Sequence, residues 1–122
     1  MSNLLSIILS FSFLSLALSS LVLPQIFSDN CVLQTNAEYG ERSSVYGYSD
    51  PNEFITVFLR SSETKKLLSG PYNVTADKNG SWQVTLNPLG DAMPAFDIVV
   101  FTDSGDSFTA SSCFAGDVYI GE

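Results

Sequence analysis

The sequence has no histidine among its 122 residues, and it has 5 basic against 13 acidic side chains, for a formal net charge of −8. Without histidine, the chain itself cannot supply a Ser-His-Asp triad, a histidine-ligated zinc site or a histidine pH switch. The few basic residues are scattered, and neutralising a phosphate backbone needs clustered ones, so we expect no nucleic-acid partner. Two cysteines cannot form a four-thiolate centre, and no acidic segment has calcium-loop spacing. We therefore expect no metal and no cofactor.

The N-terminal part of the chain carries no charged side chain before Asp29. Residues 4–18 are all Leu, Ile, Phe, Ser or Ala, a run shorter than the roughly 20 residues that a transmembrane helix needs. Small residues, Ala17 and Ser19, precede Ser20 at the spacing of a signal-peptidase site. We therefore predict a cleaved signal peptide at residues 1–19, entry into the secretory pathway, and no stable membrane span after cleavage. An uncleaved anchor or a buried helix is the alternative.

Two further sequence patterns, one for glycosylation and one for a disulfide, become informative if the chain enters the oxidising secretory pathway. Asn73 and Asn79 each begin an Asn-x-Ser/Thr triplet, the acceptor signal for N-glycosylation. Asn79 is the poorer acceptor, because its neighbours predict a tight turn. Cys31 and Cys113 are the only cysteines, and they could form a disulfide in such a compartment. Two separately buried thiols are the alternative, since the sequence does not give the distance between them.

The remainder of the chain has the pattern of an all-β domain. Short segments rich in β-branched and aromatic residues recur at intervals of about ten residues, and turn residues separate them. No segment after residue 20 has a sustained helical period. The predicted strands are 45–48, 54–59, 72–76, 82–86, 98–101, 108–113 and 118–120. We predict an antiparallel β-sandwich or barrel-like domain over residues 20–114.

The clearest alternation places Trp82, Val84 and Leu86 on one face of a strand, so we predict Trp82 at the centre of the core. We expect three further aromatic side chains to point inward beside it: Phe54, Phe58 and Phe101. Two turns are predicted to close hairpins, at residues 77–80 and 104–106, because Asn-Gly and Ser-Gly-Asp favour positive φ angles.

No catalytic constellation is present in the sequence. There is no G-x-S-x-G elbow, no Walker loop and no C-x-x-C pair, so we assign no catalytic, cofactor-binding or metal-ligating residue. Several tyrosines could form a platform on which a sugar ring stacks, although outward strand tyrosines or half-buried core residues are the plainer interpretation. These tyrosines are Tyr39, Tyr46, Tyr48 and Tyr72.

Four segments of the chain match, in order, the motifs of one protein family. They are LPQIFSDNCVLQ at 23–34, VYGYSDPNEFITV at 45–57, DKNGSWQVTLNPL at 77–89 and FAGDVYIGE at 114–122. Together they resemble the N-terminal region of the sialate O-acetylesterases, which carry LPxxFSDxMVLQ, VWGxxxPGxxVTV, DxxGxWxVxLxPL and LFGDVW. The sequence departs from these patterns at four positions, where a core can absorb the exchange. The departures are Cys31 for Met, Asn52 for Gly, and Tyr46 and Tyr119 for Trp.

In that family, the GDVW segment leads into GQSNM, whose serine is the nucleophile of an SGNH-type hydrolase domain. The resemblance therefore implies that residues 115–122 begin a truncated hydrolase domain and that this chain holds none of the catalytic residues. The implied full-length protein is a serine esterase whose missing domain binds O-acetylated sialic acids or related sugars. The last predicted strand, 118–120, should then be poorly packed, unless it is an ordinary edge strand. A self-contained secreted β-sandwich that binds carbohydrate or a protein partner is the alternative function.

Overall fold

The computed structural model describes residues 20–34, 42–90 and 93–116. Within these ranges, the chain forms strands and turns and no helix, which confirms the predicted all-β class. The strands are β1 (Val32–Gln34), β2 (Ser44–Tyr48), β3 (Phe54–Ser61), β4 (Leu67–Thr75), β5 (Ser81–Thr85), β6 (Phe96–Thr102) and β7 (Ser107–Gly116). In this described part, no helix is long and apolar enough to cross a membrane.

The described strands form two sheets around one core. The larger sheet has the order β1-β7-β6-β3-β4, and β2 pairs with β5 in the smaller one. All neighbours are antiparallel except β1 and β7, which run parallel with Val32 opposite Phe114. Buried side chains from both sheets join in a single apolar cluster, which includes Val45 and Leu86 beside Ile55. The domain is therefore the predicted all-β unit, with one parallel pair at the edge of its larger sheet.

On the central strands β3 and β6, aliphatic side chains and Phe96 point into the core, whereas three other aromatic side chains point away from it. Ile55 and Val57 are fully buried. By contrast, Phe54 is 46% exposed and Phe101 41% exposed, while Phe58 is half-buried against Phe101 on the same outer face. The expectation that these three aromatic residues point inward is wrong. The positions that alternate with the buried aliphatic ones carry polar residues such as Thr56 and Arg60 as well as aromatic ones, so an aromatic residue alone does not show which set faces the core.

Trp82 on β5 is 3% exposed, and Val84 and Leu86 share its buried face. Trp82 lies opposite Gly47 of β2, where a Cβ would stand 3.1 Å from Trp82 Cζ2 and would collide with the carbonyl oxygen of Val22. Because glycine has no side chain, position 47 leaves the space that the indole of Trp82 occupies. Trp82 Nε1 has no hydrogen-bond partner in the described part of the chain, so apolar packing holds the ring.

The two predicted hairpin turns have different outcomes. The turn at 104–106 joins β6 to its antiparallel neighbour β7, with Gly105 at φ 105°, which confirms a hairpin. The turn at 77–80 is present, but it joins β4 and β5, which belong to different sheets, so the predicted hairpin there is wrong. Asp77 Oδ1 holds this turn by accepting from the backbone N–H groups of Asn79 at 2.8 Å and Ser81 at 2.9 Å.

Strand β4 begins earlier than predicted, at Leu67, and passes through the cis peptide bond between Gly70 and Pro71. Glycine and proline are uncommon inside strands, so the sequence at positions 70–71 did not predict one. They are accommodated because β4 is an edge strand, where a proline without an N–H can face away from its partner.

The first described residues belong to the domain. Leu21 is buried in the core cluster, and Val22 exchanges two backbone hydrogen bonds of 2.9 Å with Tyr48. The backbone nitrogen of Ser20 lies 3.3 Å from Asp106 Oδ2, and its hydroxyl donates to the same oxygen at 3.1 Å. The predicted signal peptide at 1–19 and the predicted last strand at 118–120 lie outside the described residues.

Candidate functional site

The described residues contain no group of three histidine, cysteine, aspartate or glutamate side chains that could hold a metal ion. With no histidine anywhere in the sequence, none of its serines has the usual general base beside it. The features of this domain that bear on function are two surface depressions, two glycosylation triplets, a buried pair of cysteines and a buried carboxylate.

The first feature is a shallow groove of about 340 Å³ on the outer face of the larger sheet, and its lining is almost wholly apolar. We call it the outer-face groove. It is lined by Thr56, Phe58, Leu67, Pro71, Asn73 and Phe101. No lining side chain ionises, so the groove offers no general acid or base. Its volume falls in the range of small-ligand sites, roughly 300–1,000 Å³.

Asn73, Thr56 and Phe101 form one row across the groove. Thr56 on β3 is paired with Asn73 on β4 and with Phe101 on β6. The Thr56 hydroxyl donates to Asn73 Oδ1 at 3.0 Å, which fixes the amide of Asn73 with its oxygen towards the sheet. Phe58 and Phe101 meet edge to face, with ring centroids 6.3 Å apart. The floor of the groove is thus held by the Thr56–Asn73 hydrogen bond at one end and by the Phe58–Phe101 pair at the other.

Both predicted glycosylation asparagines lie on the surface. Asn73 is exposed on β4, and Thr75 of its triplet is exposed on the same face of that strand. Asn79 is exposed in the β4–β5 turn. Attachment of a glycan to either residue stays a prediction.

A second depression, of about 500 Å³, runs beside the free edge of β4. It is lined by Leu67, Leu68, Ser69, Gly70, Asn87, Pro88, Leu89, Gly90 and Met93. This lining also lacks an ionisable side chain, so it has no group for acid–base chemistry.

The structure brings the two cysteines together. Their sulfur atoms are 2.7 Å apart, and both residues are buried. Burial of Cys113 beside Cys31 raises the pKa of its thiol to about 12, so the thiolate is a negligible species at neutral pH. The contact fits the predicted pairing, and a covalent bond between the two stays a prediction.

A buried carboxylate on β6, Asp97, was not singled out in the sequence. It accepts bonds from Arg60 Nε and Lys65 Nζ, both at 3.0 Å, and from Ser62 Oγ at 2.7 Å. The backbone N–H of Ser112 donates to it at 3.3 Å. Burial raises the pKa of Asp97, but the Ser62, Lys65 and Arg60 bonds outweigh burial and hold that pKa well below its usual range. The sequence feature that could have indicated this buried carboxylate is that Asp97 is the one acidic residue in the otherwise apolar run 96–101.

The candidate tyrosines do not form one platform. Tyr46 and Tyr48 are exposed on β2. Tyr72 is half-buried on β4 against the core of the domain, and its hydroxyl accepts from the backbone N–H of Asn87 at 2.9 Å. Tyr39 lies outside the described residues. The described tyrosines are therefore divided between two sheets.

No protein-family model matches the chain, and no curated protein matches it. Among solved structures, the chain is similar to a carbohydrate acetylesterase from Xanthomonas citri, with 28% sequence identity and a TM-score of 0.61. The match covers 80% of this chain and 19% of that esterase, so the chain spans about a fifth of the esterase's length. The domain therefore has a carbohydrate-esterase-like fold.

Proposed function

We propose that this chain is the N-terminal accessory β-domain of a secreted or lysosomal enzyme that resembles the sialate O-acetylesterases. The observation that carries the proposal is the 28% identity, at a TM-score of 0.61, to part of a carbohydrate acetylesterase. A domain that matches about a fifth of an esterase, and has no histidine of its own, fits an accessory role better than a catalytic one.

The spatial arrangement of the family-like motifs also supports the proposal. The first motif (23–34) contains β1, and the last (114–122) begins in β7, and these two strands pair through Val32 and Phe114. The second motif (45–57) begins in β2 and the third (77–89) contains β5, which pair with each other. Motifs that are far apart in sequence therefore meet as neighbouring strands, as expected if they were retained together by one fold.

In such an esterase, the reaction belongs to the other domain. A serine hydroxyl, deprotonated by histidine, attacks the acetyl carbonyl, and the sugar hydroxyl leaves with the proton that histidine returns. Water then hydrolyses the acetyl-serine to acetate and free serine, while backbone N–H donors stabilise the tetrahedral oxyanion. The present domain packs beside that site and can form one rim of its cleft.

The decisive experiment is to extend the coding sequence past Glu122 and to express the longer protein. We expect GQS soon after Glu122 and saturable release of acetate from O-acetylated sialic acid, which is lost when the serine of that motif is changed to alanine. An acetylated plant polysaccharide serves as the comparison substrate and separates sialate specificity from general carbohydrate esterase activity. A stop codon after Glu122, or a longer protein without esterase activity, would favour the self-contained binding module instead.

A further inference from the structure

We propose that a glycan attached to Asn73 folds over the outer-face groove and covers its aromatic side chains. The inference rests on the secretory location in the proposed function, because only a chain that enters that pathway meets the glycosylating enzyme. It assigns an occupant to the groove and a structural role to the modification.

The groove presents an apolar surface to water. Leu67 is 55% exposed and Phe101 is 41% exposed, and the lining between them is almost wholly apolar. Small apolar patches are common on soluble domains, and what distinguishes this one is the N-glycosylation triplet that begins within its lining. No charged side chain lines this groove, so it has no means of selecting a charged ligand.

Asn73 is placed to carry a glycan over this surface. It lines the groove itself, and it is separated from Phe101 by the single strand β3, which corresponds to about 10 Å across the sheet. This span lies within reach of the first two sugar rings of an N-linked glycan. The bond from Thr56 engages Asn73 Oδ1, and Nδ2 is the atom to which a glycan is joined.

The chemistry of the glycan matches the groove. N-acetylglucosamine has a face of C–H groups and an acetyl methyl, which pack on the electron-rich face of an aromatic ring. Its hydroxyl groups lie around the ring edge and remain in water. Phe58 and Phe101 would contact the C–H face, and Thr56 offers a hydroxyl beside them. Covering the groove in this way removes apolar surface from water without burying a polar group unpaired.

Asn79 provides a matched control within the same chain. It carries the other acceptor triplet and is also exposed, but it lies in the β4–β5 turn and does not line the groove. A glycan there lies away from Phe58 and Phe101, and the exposed aromatic residue near it is Tyr48, which is paired opposite Ser81. The two asparagines therefore separate attachment of a glycan from its contact with the groove.

The test is to express the full chain in a secreting eukaryotic host, trim its glycans with mannosidases to the two core N-acetylglucosamine residues and record NMR spectra. We expect cross-relaxation between the sugar on Asn73 and the rings of Phe58 and Phe101, and an upfield shift of its acetyl methyl signal. Phe101→Ala should remove that shift, whereas Tyr48→Ala, an exposed aromatic of the other sheet, should leave it unchanged. Asn73→Gln should increase binding of a hydrophobic dye, and Asn79→Gln should not.

Three results would overturn the proposal: an unmodified Asn73 in the secreted chain, a sugar on Asn73 with the shifts of a free glycan, or dye binding that Asn73→Gln does not change. A protein segment of the longer enzyme that covers the groove would overturn it as well. These results leave the esterase assignment intact, because acetate release by the longer protein is measured separately. A chain that is neither secreted nor glycosylated would refute this proposal together with the proposed location.

Discussion

The sulfur atoms of Cys31 and Cys113 lie 2.7 Å apart in the core, although the two cysteines are 82 residues apart in the sequence. This separation is shorter than the ordinary contact distance of two unbonded sulfur atoms. The backbone around them is also joined: Phe114 N–H donates to the Cys31 carbonyl at 2.9 Å, and Asn30 N–H donates to that of Ser111 at 2.8 Å. The segment before β1 is thus fixed to β7 by its backbone and placed for a covalent bond.

We expect the two thiols to form a disulfide when the reduced chain folds with a low-molecular-weight disulfide. That reagent accepts the two electrons and two protons and leaves as two thiols. Thiol titration in denaturant without reductant should then find no free thiol, and reduction should lower the free energy of unfolding by roughly 4 kcal/mol. The Cys31→Ser, Cys113→Ser double variant should be insensitive to reductant. Two titratable thiols in the oxidised sample would show that the contact is not a bond.

Truncation of Trp82 should produce a large loss of stability. Because Trp82 is 3% exposed, Trp82→Ala is expected to lower the free energy of unfolding by about 3–5 kcal/mol, measured by chemical denaturation. The control is Tyr48→Ala, since Tyr48 is 58% exposed, and it should change stability by no more than about 0.5 kcal/mol. Similar losses for both variants would contradict the central position of the indole.

A single methyl group at position 47 should be poorly tolerated. In Gly47→Ala the new Cβ meets Trp82 and the carbonyl oxygen of Val22, so we expect a loss of about 1–3 kcal/mol from overpacking. The matched variant is Gly90→Ala, because a Cβ at Gly90 meets nothing within 4 Å. The thermal midpoints of the two variants, compared with the parent chain, measure the difference. An unchanged midpoint for Gly47→Ala would contradict the close approach of Val22 and Trp82 to position 47.

The ion pairs of Asp97 should make the free energy of unfolding depend on pH in the acidic range. Its pKa is lowered in the folded chain, so its contribution is fully present above the unfolded pKa of about 4 and is lost as the pH falls further. At neutral pH, Asp97→Asn should cost about 3 kcal/mol, because it leaves Arg60 and Lys65 without their shared partner. In denaturation series at several pH values, this cost should shrink below pH 4. Asp50→Asn, in an exposed turn, should show neither effect.

The isolated chain should be inactive as an esterase. It has no histidine to activate a serine, so purified chain should hydrolyse an aryl acetate no faster than an equal mass of an unrelated protein. Saturable hydrolysis that disappears on mutation of one serine in this chain would contradict the prediction.

The positions of most strands could be predicted from the sequence, because β-branched and aromatic runs between turn residues are local signals. The orientation of Phe54 and Phe101 could not, since large apolar residues occur on both faces of their strands. Strand β1 was not predicted, because three residues carry too little pattern and its partner is distant in sequence. The groove around Asn73 could not be predicted either, because its lining comes from three strands. Only the register of these strands brings the acceptor triplet beside the aromatic pair.

The parallel pairing of β1 with β7 also sets an order of assembly during synthesis. Val32 leaves the ribosome long before Phe114, and within the described sheet β1 has no neighbour except β7. Closing so long a loop costs entropy that is recovered only when the partner strand is present. We therefore expect β1 to dock last, after β3, β6 and β7 have paired as successive antiparallel neighbours, and Cys31 to remain open to exchange with other thiols until then.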